Sequence, residues 1–375
     1  MRGDDGSGAI AQQFDGLPYR YLFNGANPDI PDELRLPPEF RVLIGSASDQ
    51  EIFDAVVKVV AAYVNGLRFS QTSDAGNLIR SPFDVFLSRN GLPQQPNSGE
   101  TPLDYSRRLL TLVNALASPQ FVTSNPNNPT NLHGKFQFHD TQAFVFGAQE
   151  LAGLKIFLQE PSTPPSASPA ELAAGQIGNC IACHAAPNFT DFRLHNTGIA
   201  QSEYDGIHGN GSFVALPIPS LGTRTNNDLP ATELHPTATE SFRSIPVLAN
   251  PALTDLGVWN IFLNPDMPNP QAKIQAILCD EHLPGACPSD SVLHDEAIAR
   301  FKTPGLRDLG HSAPYMHNGQ FNTLDNAVGF YLGASSRARA GTLRNGINAL
   351  RGIALLPADI TPLVAFLKSL NEDYQ

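Results

Sequence analysis

The chain has 375 residues, with 36 acidic and 24 basic side chains, which gives a formal net charge of −12. This acidic balance without a basic run makes nucleic acid and anionic lipid poor candidates as partners. No apolar stretch is long enough to cross a bilayer, and the length suggests two domains. The 32 prolines and 30 glycines predict long ordered loops between a modest set of helices.

The N-terminal part of the chain contains two segments with helical spacing. Residues 48–69 begin with the cap candidates Ser48 and Asp49, and their apolar residues then recur at helical intervals up to a glycine stop. Residues 101–119 begin with a threonine cap followed by a first-turn proline, and a second proline lies beyond the end. Between the two helices, the stretch SPFDVFLSRNG predicts a short helix or turn.

A second group of predicted helices begins near residue 145. Residues 147–159 are amphipathic, a short helix precedes residue 180, and two helical patterns close the chain. The region 185–300 is irregular. Because no segment shows sustained alternation, we predict an all-α, loop-rich fold with at most small strands.

Residues 179–184 read NCIACH, and they contain Cys180, Cys183 and His184 in the pattern C-x-x-C-H. In this pattern the two thiols add across the vinyl groups of haem, and the adjacent histidine ligates the iron. The short spacing lets all three groups face one edge of a porphyrin. The motif therefore predicts covalently attached haem c.

Two other uses of the motif are weighed against haem. Half of a zinc site would need further ligands, which Cys279, Cys287 or His195 could supply, but the 279/287 doublet is wide. A thioredoxin-like redox pair would need a preceding strand, whereas the preceding residues have a helical pattern. For Cys279 and Cys287, with seven residues between them, we predict a small disulfide loop.

The second iron ligand and the redox-active side chains are less constrained by the residues alone. Met316 would raise the haem potential and suit electron relay, whereas Tyr331 would favour ferric iron. Spacing alone does not separate these two candidates. Trp259, the only tryptophan, is a redox-active candidate by its type, although a buried packing role is the commoner use of tryptophan.

Three stretches of the chain resemble one protein family. These are the haem motif, PNFTDFRLHNTG at 187–198 and FKTPGLRDLGHSAPYMHNGQFNTLDNAVGFYLG at 301–333. Together they resemble the bacterial dihaem cytochrome c peroxidase and MauG family. The resemblance implies cytochrome c-like α-domains, each of which normally carries its own C-x-x-C-H haem.

The resemblance also implies a domain organisation. Residues 1–140 correspond to an incomplete N-terminal cytochrome c-like helical region that lacks a haem motif. Residues 141–375 correspond to the C-terminal cytochrome c-like haem domain. Within this domain, residues 206–295 correspond to an insertion, because this segment is far longer than the family's usual connection between the haem motif and the stretch that contains Arg307.

Iron ligands transfer by position from the family motif. Cys180 and Cys183 match its thioether cysteines, and His184 matches its proximal ligand. The family's second ligand lies fourteen residues after the histidine that matches His317, and this count ends on Tyr331. The family places methionine there in the peroxidases and tyrosine in the MauG-like proteins, so the resemblance favours Tyr331 over Met316.

Other site residues follow from the same resemblance. Arg307 matches a family arginine expected near the haem propionates, which a fixed guanidinium suits. Ser312 and Pro314 match positions whose backbone carbonyls help to hold a calcium ion between the domains, and calcium accepts such neutral oxygens.

The implied function is that of an extracytoplasmic c-type haem oxidoreductase of the peroxidase/MauG type, located in the periplasm. Hydrogen peroxide would be its substrate, and a small redox protein such as a cytochrome c or a cupredoxin would be its electron donor. The alternative is a non-catalytic monohaem electron-transfer protein.

Residues 1–16 lack the apolar core of a signal peptide, although haem c is attached outside the cytoplasm. We expect the signal segment to lie upstream, with Met1 as an internal start of a longer dihaem protein. A second haem is expected only in that case. The competing expectation is a true monohaem descendant of the family.

Overall fold

The computed structural model describes residues 19–25, 35–66, 80–123 and 144–371, with single-residue gaps at 233, 240, 248 and 284. The chain forms two compact units, residues 1–70 and 71–375. The predicted domain organisation, with a boundary near residue 140, stays a prediction. The identity of residues 1–140 as a partial cytochrome domain stays a prediction.

Helices dominate the described part of the chain, as predicted. In chain order they are α1 (Tyr19–Asn24), α2 (Asp49–Gly66), α3 (Pro82–Arg89), α4 (Pro102–Asn114), α5 (Ala148–Leu158), α6 (Pro169–Ala174), α7 (Ile199–His208), α8 (Ser212–Ala215), α9 (Gln271–Asp280), α10 (Asp290–Glu296), α11 (Leu324–Ala340) and α12 (Ile360–Lys368). Short 3₁₀ turns and long ordered loops connect them. No helix in the described ranges is both long enough and apolar enough to span a membrane.

The regular strands in the described ranges are β1 (Leu194–His195) and β2 (Phe301–Lys302). They pair antiparallel, with Leu194 opposite Lys302 and His195 opposite Phe301. The prediction of an all-α fold with at most small strands therefore agrees with the structure.

Capping residues start the helices where the sequence predicted. Ser48 accepts a bond from the backbone of Glu51 at 3.3 Å and opens α2, which ends at the predicted Gly66. Residues 67–69 of that prediction lie outside the described residues. Thr101 caps α4 in the same way, through the backbone N–H of Asp104 at 3.1 Å, since a side-chain oxygen satisfies a donor left free at a helix start.

The main hydrophobic core of the second unit lies between α5 and α12. A Cβ added at Gly153 on α5 would lie 1.9 Å from the backbone oxygen of Pro362, so glycine permits the close contact of the two helices. Four phenylalanines interlock beside this contact at ring-centroid distances of 5.1 to 6.0 Å: Phe83, Phe157, Phe189 and Phe366. Phe189 ties the segment after the C-x-x-C-H motif into the core.

A second hydrophobic cluster lies largely within residues 206–295. Trp259 is fully buried at its centre. The ring of Phe242 meets it edge-on at 5.2 Å between centroids. Residues 206–295 therefore have a core of their own, and they do not form an unstructured connection.

Candidate functional site

The C-x-x-C-H motif forms a tight turn, and the residues just before it pack closely against neighbouring backbone. Cys180–Ala182 is one turn of 3₁₀ helix, and the backbone N–H of His184 donates to the carbonyl of Cys180 at 2.7 Å. The side chain of Asn179, whose φ is 48°, donates to the carbonyl of Ala349 at 2.8 Å. A Cβ at Gly178 would lie 2.7 Å from the carbonyl oxygen of Ile156. The turn is therefore fixed by a hydrogen bond to Ala349 and by close packing against Ile156.

Both cysteines and the histidine of this turn line a cavity of about 460 Å³. The other predicted site residues that line it are Tyr331, Met316, His317, Ser312 and Pro314. Much of the remaining lining is apolar and includes Phe157, Leu309, Leu324, Val328, Leu363 and Leu367. An apolar cavity of this size with a few convergent polar groups is typical of a cofactor site.

His184 has the geometry of a metal-ligating histidine. Its Nδ1 lies 2.9 Å from the carbonyl oxygen of Phe189, so Nδ1–H donates and Nε2 remains as the available ligand. Burial lowers the pKa of His184. The imidazole is therefore neutral, which is the form that binds a metal.

Tyr331 reaches the cavity from α11, seven residues after the start of that helix. Burial raises its pKa, and the nearby Cys183 and Cys180 raise it further. Burial also raises the pKa of Cys180 to about 12. The phenol and this thiol are thus neutral until a cation or a covalent bond replaces their protons.

Met316 and His317 line the same cavity beside each other. Met316 has a left-handed backbone, with φ of 70°. The ring of His317 stacks on Phe301 at 3.5 Å between centroids, and burial lowers the pKa of His317 to about 4. His317 is therefore a neutral packed ring, and Met316 and Tyr331 both remain within the cavity lining.

Arg307 and Trp259 are not among the described residues that line the cavity. The two terminal nitrogens of Arg307 pair with the carboxylate of Asp84 at 2.9 and 3.1 Å, and its guanidinium lies 5.4 Å from the ring centre of Phe189. It thus braces the motif segment against α3. Trp259 lies in the separate second cluster, where its burial fits the packing role.

The second cysteine pair forms the predicted disulfide. Cys279 and Cys287 are bonded, with their Cα atoms 4.9 Å apart, whereas Cys180 and Cys183 carry no disulfide. Disulfide sulfurs do not ligate zinc. The zinc site that borrowed Cys279 and Cys287 is therefore excluded.

The structure adds His195 to the cavity lining; the sequence suggested it only as a zinc ligand. Its Nε2 lies 2.6 Å from Asp191, and its Nδ1 lies 3.1 Å from Glu281. Burial by itself would lower the pKa of His195, but its hydrogen bond to Asp191 and the neighbouring Cys183 and Glu281 raise it to about 11. The available signal was its position within the family-like stretch 187–198, eleven residues after the motif histidine.

Cys183, Asp191 and His195 also form a compact group of metal-ligand types, with their ligand atoms within 4.8 Å of one another. Both ring nitrogens of His195 face carboxylates. The group is therefore already occupied as an ion pair, which favours the thioether role of Cys183.

Comparison with known proteins gives partial matches. The chain is 26% identical over 194 residues to the cytochrome-c peroxidase IdrP2 of Denitromonas iodatirespirans, which is 52% of the chain and 36% of that protein. It is 28% identical over 203 residues to the IdrP2 peroxidase of Pseudomonas sp. (strain SCT), which is 54% of the chain and 38% of that protein. A shorter match, 38% identical over 74 residues, covers 20% of the chain and 18% of the cytochrome-c peroxidase IdrP1 of Denitromonas iodatirespirans.

The matched region spans less than two fifths of the length of either IdrP2 relative. No protein-family model and no solved structure matches the chain.

Proposed function

We propose that this chain, whose curated relatives support its assignment to the cytochrome c peroxidase family, is an extracytoplasmic haem oxidoreductase of the peroxidase type. One observation carries the proposal. The C-x-x-C-H turn and Tyr331 line the same largely apolar cavity. Haem c, when bound there, supplies an iron that accepts and donates single electrons.

The chain's own residues would hold that group in defined roles. Cys180 and Cys183 would form the thioether bonds, and His184 would ligate the iron through Nε2 while Phe189 orients its ring. Tyr331 would be the second ligand, and loss of its proton would accompany binding. An anionic oxygen ligand favours ferric iron, so this haem would store oxidising equivalents, as in the MauG-like branch of the family.

We further propose that peroxide is reduced at a second haem, since this chain contains one C-x-x-C-H motif. Electrons would come from a small redox protein such as a cytochrome c or a cupredoxin. The carbonyls of Ser312 and Pro314 would help to hold a calcium ion, and a cytochrome c-like α-domain would enclose the site. Trp259 would serve packing only, and Arg307 would act through Asp84.

The single motif also favours a second candidate, a monohaem protein that transfers electrons without catalysis. Turnover discriminates the two functions. Holo-protein of verified haem content is mixed with hydrogen peroxide and a reduced cytochrome or quinol. Peroxide-dependent oxidation of the donor by this chain supports the enzyme, and its absence with a fully reducible haem shows that this chain by itself transfers electrons without catalysis.

The haem site itself is tested without turnover. The protein is produced in a host that matures c-type cytochromes, and haem that stays bound on a denaturing gel is expected at one equivalent per chain. Absence of covalent haem would contradict the proposal.

Tyr331→Phe tests the second ligand. We expect the ferric spectrum to lose its tyrosinate charge-transfer band or to change spin state. The matched control is Tyr315→Phe, because Tyr315 also lines the cavity but donates its hydroxyl to the carbonyl of Leu309 at 3.0 Å. If Tyr331→Phe leaves the spectrum unchanged, Met316 becomes the ligand, and Met316→Ala is the next variant.

A further inference from the structure

A buried network of charges reaches the cavity at one residue. His195 lines the cavity, and its side chain is 7% exposed. One ring nitrogen lies 2.6 Å from Asp191, and the other lies 3.1 Å from Glu281, outside hydrogen-bond alignment. The ligand atoms of Cys183, Asp191 and His195 all lie within 4.8 Å of one another. A histidine flanked by two carboxylates therefore adjoins Cys183.

Glu281 comes from a distant part of the chain. It lies inside the loop closed by the disulfide between Cys279 and Cys287, within residues 206–295. Its second carboxylate oxygen accepts from Arg300 at 2.6 Å. The disulfide and the guanidinium thus hold Glu281 from two sides and limit the positions it can adopt.

The cost of such a network points to a role beyond packing. Burying charged groups is unfavourable unless each one is paired, and even paired buried ions often contribute little to stability. His195 and Arg300 face the carboxylates of Asp191 and Glu281, and Arg300 also lies 3.8 Å from Glu296. Each of them is nevertheless within a poorly hydrated region, where a single charge acts strongly on its neighbours.

We propose that Glu281 is a positioning residue for the haem site and that, together with Asp191, it holds His195 against Cys183. Through this contact the disulfide-closed loop sets the electrostatic environment of the bound iron. The inference rests on the proposed function, because it requires haem on Cys183.

Charge changes in the network have predictable signs. Ferrous haem carries one positive charge less than ferric haem, so a nearby negative charge stabilises the ferric form. Glu281→Gln therefore raises the midpoint potential, while Asp191 keeps the imidazole charged. His195→Gln removes a positive charge and lowers the potential. If the two residues had only a structural role, their substitutions would not shift the midpoint potential in opposite directions.

Asp280→Asn is the matched control. Asp280 is the neighbour of Glu281, it lies in the same disulfide loop, and its substitution removes the same charge. It pairs instead with Arg193, and its side chain is 43% exposed. Solvent and salt screen such a charge, so we expect no shift of the potential.

The experiment measures midpoint potentials of the holo-proteins by spectroelectrochemical titration at one ionic strength. Shifts of opposite sign for Glu281→Gln and His195→Gln, without a shift for Asp280→Asn, support the inference. Equal shifts for Glu281→Gln and Asp280→Asn, or no shift in any variant, overturn it while the proposed function stands.

The Cys279→Ser/Cys287→Ser double variant covers the case in which Glu281→Gln does not fold. Releasing the loop should shift the potential in the direction given for Glu281→Gln, by a smaller amount. A potential equal to that of the wild type overturns the inference. If the wild-type protein carries no covalent haem, the gel assay reports this separately, and the proposed function and the inference both fail.

Discussion

The two regions that carry the cysteine pairs use their thiols differently. Cys180 and Cys183 sit three residues apart on a tight turn and line a cavity without bonding each other. Cys279 and Cys287 are eight residues apart and form a disulfide, with their Cα atoms 4.9 Å apart. Two thiols close in sequence therefore bond each other in one region and remain available to a ligand in the other.

The two hydrophobic clusters also differ, because one of them borders a cavity and the other is closely packed around a tryptophan. The core between α5 and α12 leaves a cavity of about 460 Å³ beside the motif. The cluster around Trp259 closes on its central ring, which is fully buried. Trp259 therefore packs in this cluster and is not among the described residues that line the cavity, and a redox role for it stays a prediction.

The largest expected effect separates the two cysteine pairs. Cys180→Ala/Cys183→Ala removes both thioether bonds, so covalent haem should be lost from a denaturing gel. Cys279→Ser/Cys287→Ser should keep its haem, because those sulfurs bond each other. Haem retention in the first variant would contradict the assignment of the motif.

Trp259→Ala tests the two cores. We expect the free energy of unfolding to fall by about 3–5 kcal/mol, the usual cost of deleting a buried aromatic ring, and the ferric spectrum to stay unchanged. Phe157→Ala is the comparison, because Phe157 is equally buried but lines the cavity. Its stability loss should be accompanied by a spectral change. A spectral change in Trp259→Ala alone would reverse our reading of the two cores.

Asp84→Ala tests the brace between α3 and the motif segment. It removes the bidentate partner of Arg307 and a capping contact to Ser81 at 2.7 Å. We expect chemical denaturation to show a loss of about 2 kcal/mol, because a largely buried guanidinium loses its carboxylate partner and α3 loses a capping contact.

Asp104→Ala is the control for that variant. Asp104 has the same capping contact, to Thr101 at 2.7 Å, but it pairs with an arginine at the surface, where its side chain is 57% exposed. Its loss should stay below about 1 kcal/mol. Equal losses in the two variants would show that capping alone explains both.

A loss of stability similar to that of Asp84→Ala is expected for the disulfide loop. Cys279→Ser/Cys287→Ser should lower the free energy of unfolding by about 2 kcal/mol, because the bond that closes a short loop restricts the unfolded chain only modestly. Urea denaturation with and without a reducing agent measures it. An unfolding midpoint of the wild-type protein that is the same with and without the reducing agent would contradict this expectation.

Short-range features were predicted from the sequence because they depend on neighbouring residues. The cap of α4 by Thr101, the end of α2 at Gly66 and the disulfide all involve groups within a few residues of one another. The position of Tyr331 came from a counted resemblance, and its place in the cavity lining agrees with that count. Its ligation of iron stays a prediction.

Long-range pairings were not predicted. Arg307 pairs with Asp84, which lies 223 residues earlier in the chain, and its place near the haem propionates stays a prediction. His195 was considered only as a zinc ligand, and Glu281 was not considered at all. The contact between His195 and Glu281 joins residues far apart in the sequence. No local sequence pattern predicts it.

The sequence by itself determined the haem motif, the helical character of the chain and the pairing of Cys279 with Cys287, because thiol spacing, apolar periodicity and capping act over a few residues. Only the tertiary structure decided which reactive side chains share a cavity. It brought Tyr331 and His195 to the motif and left Trp259 in a separate core. The reason is that burial and electrostatics depend on the packing of distant segments.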